Sequence, residues 1–259
     1  MKIGIFQLDT AFENLHENKR FIESTLSHST ASLVCAPELF NTGYVLSQIR
    51  ERARNAHAIL EWFSQLATTY TKTIALGSIA EIDNGLLYNT AYVFGPTGSI
   101  LTKYRKIHLF TLTGEDTHFA PGNEIVTFDV DGFKIGCAIC YDLRFPELFR
   151  ILRIKGADAV IIPANWPKPR VEHWLALGKV RAIENQMYSI GLNRVGTDDE
   201  SVFTGSSFIF SPRGESILEI GDTTGYFECD LHKDLVQSSR TRLDSFRDRK
   251  PDIYAKEGL

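Results

Sequence analysis

An apolar run, FKIGCAIC over residues 133–140, stops at a polar turn, and Pro146 with Glu147 then opens the apolar-periodic segment LFRILRI. A β-branched and apolar run bounded in this way reads as a buried strand, and proline followed by an acidic residue reads as the first turn of a helix. The chain therefore contains a strand–turn–helix junction with a single thiol, Cys140, at its corner. Such a corner holds a side chain at the carboxyl edge of a sheet, near backbone N–H groups that have no acceptor of their own. A thiol alone is ordinary core material, so Cys140 acquires a chemical meaning only through partners.

The same grammar repeats along the chain. KIGIFQL, SLVCA, TIALGSI, LYNTAYVFG, SILTKYRK, EIVTFDV, ADAVIIPA, YSIGLNRV, SFIFSP, SILEIG and GYFECDL carry strand patterns. Apolar stripes place helices over residues 14–28, 50–69 and 170–187, the last through Trp174, Leu177, Val180 and Ile183. Asp83-Asn84-Gly85, Pro96-Thr97-Gly98 and Asp131-Gly132 read as hairpin turns. Strand and helix alternate, which is an α/β pattern, and 259 residues with 43% apolar content suffice for one large core. A single domain over 1–259 is expected, with 232–259 as a C-terminal tail.

Partners for Cys140 lie upstream. Glu38 follows the short apolar run of SLVCAPELFNTGY, with Pro37 at its end, and Lys106 follows the alternating strand in ILTKYRKIHLF. In open α/β sheets the carboxyl ends of strands share one edge, so these three side chains can meet. A carboxylate base, a fixed cation and a thiol suffice chemically for amide hydrolysis.

APELFNTGY, YRKIHLF and CYDLRFPE, in that order, resemble the catalytic motifs of the nitrilase, or carbon–nitrogen hydrolase, superfamily. The likeness continues through FAPGNEIVTF, IIPANWP, HWLALGKVRAIENQ and NRVG. The resemblance implies a four-layer α-β-β-α sandwich and a catalytic set of Glu38 as base, Lys106 as oxyanion cation and Cys140 as nucleophile. It implies a second oxyanion donor in the backbone N–H of Tyr141, and a fourth functional acid, Glu115, in TLTGEDTHFAPG. A homodimer packed through outer helices is also implied, with neither metal nor cofactor. Asp142 and Arg144 are expected to brace the junction by a salt bridge.

C-Y-D at the nucleophile resembles the amidase and carbamoylase branches more than true nitrilases, and the run from Asn165 to Gly196 resembles the bacterial omega-amidases, which hydrolyse 2-oxoglutaramate-like monoamides. A substrate carboxylate needs a cation, for which Arg170 and Arg194 are candidates by type; Trp166 and the pair His173-Trp174 are expected to wall the pocket. An N-carbamoyl amino acid amidase is the alternative, and a catalytically silent binding protein of the same fold is the alternative from another class.

Other chemistries fit less well. Cys137 and Cys140 form a C-x-x-C, but on an extended strand they face opposite sides, whereas a redox pair opens a helix. The seven histidines lack zinc spacing, so no metal site is expected. A formal charge of −4 without a basic block argues against nucleic acid, and no stretch approaches a membrane span. Four cysteines and no export signal suggest a reduced, cytoplasmic setting.

Overall fold

Side-chain alternation on the strands sorts the apolar residues into three packed interfaces, and those interfaces define the layers. The computed structural model describes residues 1–198 and 201–258. Its strands are β1 (Lys2–Gln7), β2 (Leu33–Cys35), β3 (Thr73–Ala75), β4 (Ile79–Asp83), β5 (Leu86–Phe94), β6 (Ile100–Arg105), β7 (Thr127–Val130) and β8 (Phe133–Cys137). They continue as β9 (Ala159–Ala164), β10 (Tyr188–Asn193), β11 (Val195–Thr197), β12 (Val202–Thr204), β13 (Phe208–Phe210), β14 (Ser216–Glu219) and β15 (Gly225–Asp230). The α-helices are α1 (Leu15–Leu26), α2 (Ile49–Arg52), α3 (Ala56–Tyr70), α4 (Pro146–Ile154), α5 (Val171–Asn185), α6 (Lys233–Arg242) and α7 (Pro251–Lys256).

The first sheet has the order β15-β1-β2-β3-β5-β4, with β6 on β5, and the second β14-β13-β10-β9-β8-β7. Each carries a parallel trio, β1-β2-β3 and β8-β9-β10, whose crossovers are helical: α1 and α3 in the first, α4 and α5 in the second. Antiparallel strands complete both sheets. Ile3, Ile5, Leu33 and Val93 of the first sheet pack against Ile135, Ile161, Ile190 and Ile209 of the second. The outer face of the first sheet buries Ile22 and Leu26 of α1 with Ile59, Phe63 and Leu66 of α3. The outer face of the second covers Leu148, Phe149 and Leu152 of α4 with Trp174 and Ala182 of α5. Each buried Val, Leu, Ile or Phe among these contributes about 1.5–3 kcal/mol, and the result is the expected α-β-β-α sandwich.

Three local expectations change. The helix over 50–69 is broken: a 3-10 turn at Ala53–Asn55 separates α2 from α3. The strand over 133–140 ends at Cys137, leaving Cys140 to open a 3-10 turn, Cys140–Arg144. The stripe on α5 holds at Trp174 and at the partly buried Leu177 but fails at Val180 and Ile183. The buried face is Trp174, Gly178, Arg181, Ala182 and Asn185, while Val180 and Ile183 are 44% and 47% exposed. Steps of three residues drift, and nine residues turn a helix by about 180° from its starting face. Gly178 lets α5 close on the sheet, since a Cβ there would lie 2.1 Å from the Phe208 ring.

Residues 232–242 are integral to the fold. Arg240 pairs with Asp158 at 3.1 Å, Gln186 donates to the Ser239 carbonyl, and Val236 is buried. Among the described residues no helix is long and apolar enough to cross a membrane.

Candidate active site

Loops leaving β2, β6, β8 and β9 converge at one end of the sandwich. The β2 loop is shaped by close backbone contact. Leu39 adopts a left-handed φ of 51° and donates its N–H to Ser78 Oγ at 3.0 Å. Gly77, at φ 80°, lies so near that a Cβ would sit 2.1 Å from the Ala36 and Pro37 carbonyls. Glu38 is thereby pointed inward and fully buried.

Its two oxygens have separate duties. Oε1 accepts Lys106 Nζ at 3.1 Å and Asn89 Nδ2 at 2.8 Å. Oε2 accepts the Asn165 backbone N–H at 2.7 Å and its Nδ2 at 3.2 Å. Lys106 also donates to both oxygens of Glu115, each at 2.9 Å, and Glu115 Oε2 takes the Phe110 N–H at 2.6 Å. Glu38, Lys106 and Glu115 are all buried, so one cation lies between two carboxylates and is almost wholly removed from solvent. Burial alone draws the ammonium down, but Glu115 and Glu38 outweigh it and hold Lys106 well above its ordinary range. Lys106 is a permanent cation at any working pH.

Cys140 faces this cluster from the second sheet. Its φ of +47° is left-handed, a conformation that costs a side-chain-bearing residue of order 1–3 kcal/mol and concentrates where geometry is functional. Burial first, then Glu38, pushes the thiol well up, while Lys106 acts against the rise. The resting group is a neutral thiol beside a carboxylate. Tyr141 is the second residue of the turn, and the first N–H groups of such a turn have no acceptor within it. Cys137, by contrast, is buried between the sheets, where burial pushes its thiol up to about 12.

Cys140 and Lys106 open on a small cleft walled by Tyr44, Phe110, Tyr141, Trp166 and Phe203, with Arg144 and Arg170 on its rim. Trp166 is anchored by its Nε1 on the Arg170 carbonyl at 2.7 Å and by its ring on Trp174. Arg144 lies 4.9 Å over the Trp166 ring, and Arg170 lies 5.7 Å over Phe110. Among the described residues neither guanidinium pairs with a carboxylate.

The structure thus brings Glu38, Lys106, Cys140, Glu115, Tyr141, Trp166 and Arg170 together, and places two other candidates outside the cleft lining. His173 is exposed on α5 and does not wall the cleft, because Trp174, its neighbour, takes the inward face. Arg194 is fully buried away from the cleft. It donates to Asp9 Oδ1 at 2.6 Å, pairs with Asp198 at 3.7 Å and covers Phe203. The Asp142–Arg144 bridge is not formed either: Asp142 takes donors from Tyr104, His108 and Ile139, and Arg144 turns to the cleft. The sequence reading gave Arg144 a bracing role instead, and it missed Asn89 and Asn165. Asn89 carried a signal, a polar residue within the otherwise strand-like LYNTAYVFG.

The chain is 36% identical to the 2-oxoglutaramate amidase of Bacillus subtilis, covering 97% of this chain and 98% of that protein. It is 32% identical to the omega-amidase NIT2 of Xenopus tropicalis, over 95% of this chain and 92% of the relative. The crystal structure of XC1258 from Xanthomonas campestris, a CN-hydrolase superfamily protein, superposes with a TM-score of 0.90 at 25% identity, covering 96% of this chain and 97% of that one. The carbon–nitrogen hydrolase family model matches residues 2–241, and this chain belongs to that family.

Proposed function

We propose that this chain is a cysteine amidase that releases ammonia from the terminal amide of a small 2-oxo acid monoamide of the 2-oxoglutaramate type. The observation that carries the reading is the division of the cleft: a buried Glu38–Lys106–Glu115 cluster behind Cys140, and two guanidiniums at the rim that pair with no carboxylate of the described residues.

In this reading Glu38 takes the Cys140 proton as sulfur attacks the amide carbon. Lys106 and the Tyr141 N–H receive the oxyanion, and Glu115 holds Lys106 in place. Glu38 then protonates the leaving nitrogen, ammonia departs and a thioester remains on Cys140. A water deprotonated by Glu38 attacks the thioester, and the acid leaves with Cys140 restored as a thiol. Every proton lost by a nucleophile is returned to a leaving group through the same carboxylate, so the cycle needs no further acid.

Arg144 and Arg170 are the groups to which a substrate carboxylate is assigned, held by charge-assisted hydrogen bonds while the amide reaches Cys140. Their stacking on Trp166 and Phe110 restrains the guanidinium planes and leaves their N–H edges free for an anion. The exposed Ile151, Ile154, Val180 and Ile183 on α4 and α5 suit burial against a second copy, and we assign a homodimer to this face. A cytoplasmic, reducing setting suits four free thiols.

The test is ammonia release across a panel of 2-oxoglutaramate, uncharged amides of similar length, and N-carbamoyl amino acids. We expect 2-oxoglutaramate to exceed the others by at least tenfold in kcat/KM. Equal rates on an uncharged amide sink the 2-oxo acid assignment, and preference for the carbamoyl compounds replaces it with the carbamoylase. Sedimentation as a monomer at micromolar concentration removes the dimer.

A further inference from the structure

Lys106 hangs from the first sheet and Cys140 from the second, so their separation depends on what joins the two. Besides the shared core and the Glu38–Asn165 contact, one carboxylate ties their two segments together directly. Asp142, fully buried, accepts Tyr104 Oη at 2.7 Å and the Ile139 N–H at 2.8 Å on Oδ2. On Oδ1 it accepts the His108 backbone N–H at 3.0 Å and His108 Nδ1 at 2.7 Å. Tyr104 and His108 stand two residues before and two after Lys106, and Ile139 is the residue before Cys140.

We propose that Asp142 is a positioning residue whose carboxylate clips the Lys106 segment to the Cys140 turn, holding cation and nucleophile in register across the two sheets. The proposal rests on the roles given above to Cys140 and Lys106. All four partners donate, and a carboxylate is the compact side chain with acceptor sites for four donors. The His108 ring lies on Phe145 with centroids 3.6 Å apart and planes 7° from parallel, which closes the far end of the same turn. Burial, then Asp142 itself, keeps the Tyr104 hydroxyl protonated and therefore a donor.

The clip joins two motifs, YRKIHLF and CYD, and gives their histidine and aspartate a shared function. His108 is held by Asp142 and does not line the cleft, so it is not the base for the thiol. Asp142 and Tyr104 also stand outside the cleft lining. Loss of the clip should therefore degrade the chemical step and spare substrate binding. A displacement near 1 Å at a reacting group costs about a hundredfold.

Asp142→Asn keeps the shape but turns an acceptor into a donor facing other donors. We expect kcat on 2-oxoglutaramate to fall about a hundredfold with KM within about threefold. Alkylation of Cys140 by iodoacetamide should slow by about tenfold. The alkylation arm needs no substrate, so it reports on the clip even if the 2-oxo acid reading fails. Tyr104→Phe alone should lower kcat about fivefold, and in the Asp142→Asn background it should add nothing, because both act through one contact. Values of kcat and alkylation within threefold of wild type in Asp142→Asn overturn the proposal, as do losses that multiply in the double variant. Should Asp142→Asn fail to fold, an unchanged kcat in Tyr104→Phe overturns it.

Discussion

The floor and the rim of the cleft use charge in opposite ways. On the floor, Lys106 is held between Glu38 and Glu115, and the carboxylates are further satisfied by Asn89, Asn165 and the Phe110 N–H. On the rim, Arg144 and Arg170 rest on aromatic faces and pair with no carboxylate of the described residues. A buried cation must be paired because its desolvation is otherwise uncompensated, and in return its position is rigid. A rim cation keeps its hydration until a ligand replaces it. The floor is suited to chemistry and the rim to choice of substrate, so substitutions in the two should differ in which kinetic constant they move.

The largest expected effect is loss of the nucleophile. Cys140→Ala should abolish ammonia release and leave the circular dichroism spectrum intact, while Cys137→Ala stays active; turnover surviving without Cys140 ends the thioester mechanism. Glu38→Gln and Lys106→Met should each lower kcat by about a thousandfold or more, with Glu115→Gln losing less. Either of the first two within tenfold of wild type removes that residue from the floor.

At the rim, Arg144→Gln and Arg170→Gln should raise KM for 2-oxoglutaramate and spare an uncharged amide. A lost charged hydrogen bond is worth about 1.5–3 kcal/mol, so kcat/KM falls at least tenfold for the oxo acid alone. A fall in kcat on both substrates would show that rim and floor are not separable. The pH dependence of Cys140 alkylation offers a milder check. Because burial and Glu38 hold the thiol above its ordinary 9.0, the thiolate fraction should still be growing at pH 9, and a plateau reached near pH 7 contradicts the neutral resting state. Arg194→Met should lower the melting temperature by leaving Asp9 without its partner, yet leave kcat and KM unchanged. His173→Ala should change neither; a KM effect would return it to the pocket.

Much of the floor is legible from sequence because each of its principal residues marks a chain event that local chemistry dictates. Proline after a short apolar run ends β2 beside Glu38, and Pro146 starts α4 beyond Cys140. The hairpins are equally local: Asn84-Gly85 and Asp131-Gly132 have the paired positive φ values, 49° and 80°, 47° and 76°, that those residues favour. The rim is less legible. Arg170 and Arg194 are the same residue type in similar-looking segments, but Arg194 meets Asp9, 185 positions away, and is removed from solvent by that contact. Arg144 sits two residues from Asp142, a spacing that invites a salt bridge, until Tyr104 and His108 occupy the carboxylate from the other sheet.

From sequence alone come the alternation of strands and helices, the junction that displays Cys140, and the set of Glu38, Lys106, Glu115 and Cys140. The first two follow from backbone sterics and side-chain periodicity, and the set is what the resemblance of its motifs to the carbon–nitrogen hydrolases implies; all of it is read along the chain. Tertiary structure alone decided where β8 stops, which face of α5 is buried, and which arginine reaches the cleft. It also decided that Asn89, Asn165 and Asp142 hold the site together. In each case the deciding contact joins segments far apart in sequence, and its free energy depends on how completely folding excludes water from both partners.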